Sequence, residues 1–190
     1  MKIGKLNIAD YFSLYRFVAV PVIVVCIVLH ARVLTAILLL ISFITDAIDG
    51  YLARKKNIVT KRGAKLDSYG DLLTLAVGLA AFIVFETDFF LRHLTVFIIA
   101  CCFFALQILI AVIRFKQVTS YHTYLAKTTA VFLALFLVIT PLAGPIRILY
   151  YITAILGIAE AIEEIVITLM LKKPEENVKG IYWLLKERRS

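Results

Sequence analysis

The chain has 190 residues, 62% of them hydrophobic, a mean hydropathy of +0.94 and a formal net charge of +8. A soluble domain sits nearer roughly 45–50% apolar, so this composition excludes an ordinary soluble protein and points to an integral membrane protein forming one domain over residues 1–190. The positive charges cluster between apolar segments and no nucleic-acid-binding motif is recognisable, so anionic lipid headgroups and a phosphate-bearing ligand explain them better than nucleic acid does.

Residues 1–9 are short and mixed. Lys2 and Lys5 precede an apolar run without a small-residue cleavage site, which predicts an uncleaved first span over residues 10–29. Arg16 falls one or two turns inside it, where it either snorkels toward headgroups or stands as a cation at the mouth of a site. His30, Ala31 and Arg32 form a tight turn, and a second span follows over residues 33–54 with Asp46 and Asp49 in its last two turns. A basic connection, residues 55–62, leads to a third span over residues 63–85 with Asp67 and Asp71 in its first two turns. Glu86 and Asp88 mark the far side. The fourth span covers residues 91–115, and Arg114, Lys116 and polar residues 117–123 return to the first side. The fifth, residues 124–140, begins with Lys127, Thr128 and Thr129; Pro141, Gly144 and Pro145 make a turn before a sixth span over residues 146–171. In the tail, Ile181 to Leu185 lie between charges and read as an interfacial segment with Trp183 at headgroup level.

The predicted fold class is therefore all-α: an integral membrane bundle of six transmembrane helices with an interfacial C-terminal segment, each span long enough to cross a hydrocarbon core. Of the 21 lysines and arginines, only Arg32, Arg92 and Arg147 fall on the side opposite the aspartates. That asymmetry predicts both termini and the aspartates on the cytoplasmic side, of the cytoplasmic membrane if the source is bacterial. Cys26, Cys101 and Cys102 lie inside apolar runs without metal-ligand spacing and read as small buried hydrophobes.

Four aspartates in a chain built for lipid are costly and need a role. Asp46, Asp49 and Ala53 stand at i, i+3 and i+7 and share one helix face; Asp67 and Asp71 stand at i, i+4 and share a face of the next. Two such faces turned together make a cage of hard oxygen ligands, which suits Mg²⁺ or Mn²⁺ rather than zinc. Gly50 and Gly63 remove side chains beside the carboxylates, and Arg54, Lys55, Lys56, Lys61, Arg62 and Lys65 line the connection. Metal, arginine and lysine together are an inventory for holding a diphosphate.

The pattern D-x2-D-G-x2-A-R-x8-G-x3-D-x3-D is met at every defined position, by Asp46, Asp49, Gly50, Ala53, Arg54, Gly63, Asp67 and Asp71. It resembles the signature of the CDP-alcohol phosphatidyltransferases, and the run from Asn7 through Ser13 and Arg16 to Pro21 resembles the start common to that family. The resemblance implies six transmembrane helices, a homodimer, and transfer of a phosphatidyl group from CDP-diacylglycerol to a small alcohol with release of CMP. It implies that Asp46, Asp49 and Asp67 bind metal, that Asp71 completes the site and acts as general base, and that Gly50, Ala53, Arg54 and Gly63 shape the CDP pocket. CDP binding on this reading also involves Asp46, Asp49 and Asp67.

For the acceptor, Arg114 and Lys127, with Arg16, offer positive charge suited to a phosphorylated alcohol such as glycerol 3-phosphate; the alternative is ordinary charge bias at a membrane face. Lys127-Thr128 is similar to a stretch in phosphatidylglycerophosphate synthases, whereas Leu66 to Leu72 resembles phosphatidylserine synthases. Serine and inositol phosphate are thus the rival acceptors. Glu160, Glu163 and Glu164 share a stretch of the sixth span and should face the bundle, water or a partner, by default as hydrogen-bonding groups. Two other classes remain. A polyprenyl transferase would not need the G-x2-A-R and G-x3-D-x3-D parts, and a divalent-cation transporter would place carboxylates near the midplane rather than near one face.

Overall fold

A computed structural model describes residues 8–56, 61–119, 121–175 and 178–187, with the backbone alone for 8–14, 49–56, 61–68 and 187. Among the described residues there are eight helices and no strand: α1 (Ile8–Val28), α2 (Arg32–Lys56), α3 (Lys61–Phe85), α4 (Thr87–Arg92), α5 (Leu94–Phe115), α6 (Tyr124–Ala143), α7 (Arg147–Met170) and α8 (Ile181–Glu187). They fall into two compact units. The first holds α1, α2, α3 and residues 137–145; the second holds α4, α5, residues 124–136, α7 and α8.

In the first unit, apolar residues at four-residue spacing make a stripe on each of two helices. Ala19, Ile23 and Ile27 of α1 meet Val77, Ala81 and Phe85 of α3, with Leu39 of α2 completing the buried cluster. The helices share a fixed end. Arg32, the first residue of α2, donates from Nη1 to Glu86 Oε1 at 2.7 Å and from Nη2 to the Phe85 carbonyl at 2.6 Å. Its guanidinium also lies 5.1 Å from the centre of the Phe85 ring. This pins the start of α2 to the end of α3, and the turn at His30 (φ 55°) brings the end of α1 to the same place. Buried hydroxyls on α2 return to their own helix, Thr35 to the Ala31 carbonyl and Ser42 to Leu38.

In the second unit, α5 and α7 run side by side in the same direction. Three interhelical hydrogen bonds fix their register at a constant separation of 57 residues: Tyr150 Oη to the His93 carbonyl (3.0 Å), Gln107 Nε2 to Glu164 Oε2 (3.1 Å), and Arg114 Nη2 to the Leu171 carbonyl (2.9 Å). The rungs advance by multiples of seven residues on both helices, so one stripe of each returns to the other every second turn, as in a coiled-coil seam. Below the last rung, Tyr121, Ile167, Leu171, Val178 and Leu184 form an apolar cluster that holds α8. Glu163 Oε1 accepts from the Ile181 N–H at 3.4 Å, and the Tyr124 N–H donates to the Lys179 carbonyl at 3.2 Å. Glu164 and Glu163 thus serve as hydrogen-bonding groups.

The elements depart from expectation in three places. The fourth span does not run unbroken from residue 91: it breaks at His93, whose N–H reaches the Phe89 and Phe90 carbonyls and whose ring stacks on Phe89 at 4.1 Å. Pro141 lies inside α6 rather than in the following turn, and the reversal comes at Gly144, whose φ of +79° suits glycine. Arg32 joins α2 rather than the turn before it. Among the described residues, two helices, Leu94–Phe115 and Tyr124–Ala143, are long and apolar enough to cross a membrane, and Tyr15–Val28 and Tyr69–Phe85 are shorter apolar stretches. Ile98, Phe104, Leu109 and Ile113 of α5 are all exposed, as side chains facing lipid would be.

The rungs make a prediction. Gln107→Leu leaves the buried Glu164 carboxyl one donor short and should destabilise the protein by about 1–2 kcal/mol. Gln107→Leu with Glu164→Leu should recover most of that loss. Detergent-unfolding midpoints test this, and a double variant no better than Gln107→Leu alone would contradict the pairing.

Candidate active site

The candidate site forms where three helices reach one level, and its position follows from the shared end described above. Asp46 stands fourteen residues beyond Arg32, and Asp71 fourteen residues before Phe85. At 1.5 Å per residue each lies about 21 Å along its helix, and because α2 and α3 run in opposite senses the two aspartates come level. Arg16 is twelve residues from the end of α1 at Val28, about 18 Å along, and reaches the same plane.

There the three side chains meet. Arg16 Nη1 donates to Asp46 Oδ1 at 2.6 Å, and the same nitrogen contacts Asp71 Oδ1. Arg16 is 1% exposed, whereas the Asp46 and Asp71 side chains are 41% and 50% exposed. The cation is sealed in and its partners open to one side. Space for the guanidinium comes from Gly70, where a Cβ would lie 3.3 Å from Arg16 Cζ and Nε. Thr74, one turn further along α3, is also buried.

Of the residues singled out from the sequence, Asp46 and Asp71 come together. Asp49, Gly50, Ala53 and Arg54 continue α2 and Gly63 and Asp67 begin α3, but their side chains lie outside the described residues. Among the described residues no group of three His, Cys, Asp or Glu is placed to hold a metal ion. The two carboxylates that are described nevertheless fit one: oxygens from separate helices already converge on a single positively charged nitrogen, and hard oxygen donors of this kind suit Mg²⁺ or Mn²⁺.

In the second unit, Arg114 Nε and Nη2 both donate to the Leu171 carbonyl, at 3.2 and 2.9 Å, so this arginine caps the C-terminus of α7. Lys127 Nζ lies 5.4 Å from the centre of the Tyr124 ring. Two features are not evident from the sequence. Arg16 sits among the aspartates rather than at a mouth, and Gly70 makes room for it. The signal for Gly70 was its place beside Asp71, which spacing alone could not distinguish from a helical glycine with no role.

The family model of the CDP-alcohol phosphatidyltransferases matches residues 6–166. The chain belongs to this family. Curated relatives named CDP-diacylglycerol–glycerol-3-phosphate 3-phosphatidyltransferase are similar to part of it. The Rickettsia bellii protein is 42% identical over 76 residues, 38% of this chain and 41% of its own length. That of Rickettsia prowazekii is 36% identical over 91 residues, 46% and 49% respectively, and that of Haemophilus influenzae 29% over 90 residues, also 46% and 49%. The chain thus spans less than half the length of these relatives. No solved structure matches it. Family and apolar helices together make this a membrane protein.

The ion cluster carries its own prediction. Asp46→Asn removes one of the charges that compensate buried Arg16 and should cost about 1–2 kcal/mol, less than a fully buried pair because Asp46 is partly exposed. Adding Arg16→Met should restore part of it. An Asp46→Asn protein unfolding at the wild-type midpoint would contradict the pairing.

Proposed function

We propose that this chain transfers the phosphatidyl group of CDP-diacylglycerol to glycerol 3-phosphate and releases CMP. The observation that carries the reading is the eight-position aspartate signature together with the convergence of Asp46 and Asp71 on one cationic point. The choice of acceptor is supported by the names of the curated relatives and by Lys127-Thr128. Serine is the second reading, favoured by residues 66–72, in which Leu72 follows Asp71.

In this mechanism Asp46, Asp49, Asp67 and Asp71 hold a divalent cation, Mg²⁺ or Mn²⁺, which when bound neutralises the diphosphate and polarises the phosphorus under attack. Gly50, Ala53, Arg54 and Gly63 shape the space for the CDP moiety. Asp71 takes the proton of the acceptor hydroxyl as its oxygen attacks the phosphorus that bears the diacylglycerol. The phosphoanhydride bond breaks, and its electron pair leaves with CMP. Arg16, Arg114 and Lys127 are the cations proposed for the acceptor phosphate, although Arg114 also caps α7.

The setting is a six-span bundle made of α1, α2, α3, α5, α6 and α7, with α8 at the interface, acting as one domain and as a homodimer among membrane lipids. The extent of the family match, across both units, supports one domain. The exposure of Tyr182 and Trp183 beside buried Leu184 supports an interfacial α8. The lysine and arginine asymmetry supports both termini and the site on the cytoplasmic side. A CDP-linked lipid keeps its tails in the bilayer and its nucleotide in water, so its scissile bond lies near the headgroup plane, where a site one or two turns inside one face can reach it.

The test is CMP release by purified protein given CDP-diacylglycerol and Mg²⁺ with glycerol 3-phosphate, serine, inositol or inositol phosphate supplied separately. Release with glycerol 3-phosphate is expected, falling at least about 100-fold in Asp71→Asn and in chelator. Release with serine alone would move the assignment to the second reading, and full activity in chelator would sink the metal-dependent mechanism.

A further inference from the structure

The tail of the chain is tied to the start of α6. The Tyr124 N–H donates to the Lys179 carbonyl at 3.2 Å, and the Tyr124 ring lies 5.1 Å from that of Trp183, tilted by 46°. The same tyrosine ring carries the Lys127 ammonium, with Nζ 5.4 Å from its centre. Tyr124 and Lys127 stand three residues apart on α6 and so share a helix face. A lysine stem is long and rotates freely. A ring beside the ammonium narrows where the charge sits and supplies no counter-anion, so the charge stays available to a ligand. Arg114, the other cation of this unit proposed for the acceptor, gives two nitrogens to the Leu171 carbonyl.

Trp183 is itself held in place. Its neighbour Leu184 is buried with Tyr121, Ile167, Leu171 and Val178, and Glu163 Oε1 accepts from the Ile181 N–H. Gly180 permits the approach: its φ is +145°, and a Cβ there would lie 3.0 Å from Glu163 Oε1 and 3.4 Å from Cε3 and Cζ3 of Trp183. The ordinary role of an interfacial tryptophan is to anchor a segment at headgroup level. That role needs neither a partner ring on α6 nor a backbone hydrogen bond between tail and helix, and here both are present.

We propose that Trp183, acting through the Tyr124 ring, positions the Lys127 ammonium for the phosphate of the acceptor, so that the docked α8 sets the affinity for a phosphorylated alcohol. The proposal rests on the reading of Lys127 as an acceptor cation and gives Trp183 and Tyr124 positioning roles in it. An acceptor without a phosphate, such as serine, gains nothing from the arrangement.

The test is CMP release by the full chain in nanodiscs with Mg²⁺, varying glycerol 3-phosphate and CDP-diacylglycerol in turn. Tyr124→Leu and Trp183→Ala should each raise the KM for glycerol 3-phosphate about threefold to fivefold, with kcat and the KM for CDP-diacylglycerol held within about twofold. Trp183→Phe, which keeps a ring, should stay near wild type, and Gly180→Ala, which presses on Trp183, should move as Trp183→Ala does. In a Lys127→Ala background, Trp183→Ala should add less than about 1.5-fold, because its effect passes through the lysine. Trp183 is the single tryptophan of the chain, so its emission reports on the unsubstituted protein. That emission should change on titration with glycerol 3-phosphate, and should not change with serine or in Lys127→Ala.

An unchanged KM for glycerol 3-phosphate in Tyr124→Leu and Trp183→Ala, or a full effect of Trp183→Ala without Lys127, would overturn the proposal while leaving the acceptor assignment standing. So would tryptophan emission indifferent to glycerol 3-phosphate in a protein that turns it over. An equal rise in both KM values would reduce α8 to a membrane anchor and overturn it too. CMP release with serine and none with glycerol 3-phosphate would remove the acceptor assignment and the proposal with it.

Discussion

The arrangement of the first unit depends on one electrostatic constraint: a guanidinium is buried, and it must be neutralised where it lies. Moving an arginine out of water costs several kcal/mol unless carboxylates meet it with good geometry. Arg16 of α1 therefore requires Asp46 of α2 and Asp71 of α3 at one level, and so constrains the register of three helices at once. The apolar stripe of Ala19, Ile23, Ile27, Val77, Ala81 and Phe85 supplies contact along their length but would tolerate a shift by one turn. The ion cluster would not, because a shift of one turn, about 5.4 Å, would separate the charges.

The opposite end of the same three helices carries a matching constraint. Arg32 binds Glu86 and the last carbonyl of α3, and the intervening lengths place the aspartates and Arg16 level with one another. Two arginines, one at each end, thus fix what the apolar surfaces leave free. The second unit solves the same problem with neutral and singly charged groups. Rungs at multiples of seven residues hold α5 and α7 parallel, and Glu164, expected from the sequence as a hydrogen-bonding group, is one partner in a rung.

Much of this is legible in the chain itself. Among the described residues, the long helices lie within a few residues of their expected limits because long apolar runs and the charges that end them leave little choice. The aspartate motif stands out because carboxylates at helical spacing in an apolar chain are too costly to keep without a ligand or a counter-charge. The features that do not show are those set by partners far away in sequence. The break at His93 needs Phe89 beneath its ring, and α6 continues through Pro141 to Gly144 where a turn is expected at the proline. Arg16 reads as a snorkelling or mouth residue because nothing local reveals that Gly70, fifty-four positions on, leaves room for its guanidinium. The heptad register of α5 and α7 is invisible until the two helices are known to be neighbours.

The proposed mechanism needs a divalent cation beside Asp46 and Asp71, where the aspartates of α2 and α3 come level. Its most direct test is an experimental structure of the full chain with Mn²⁺ and CDP, with anomalous scattering locating the metal. A manganese peak within coordination distance of the Asp46 and Asp71 carboxylates is predicted. A manganese ion bound elsewhere, or none bound with CDP in place, would contradict it.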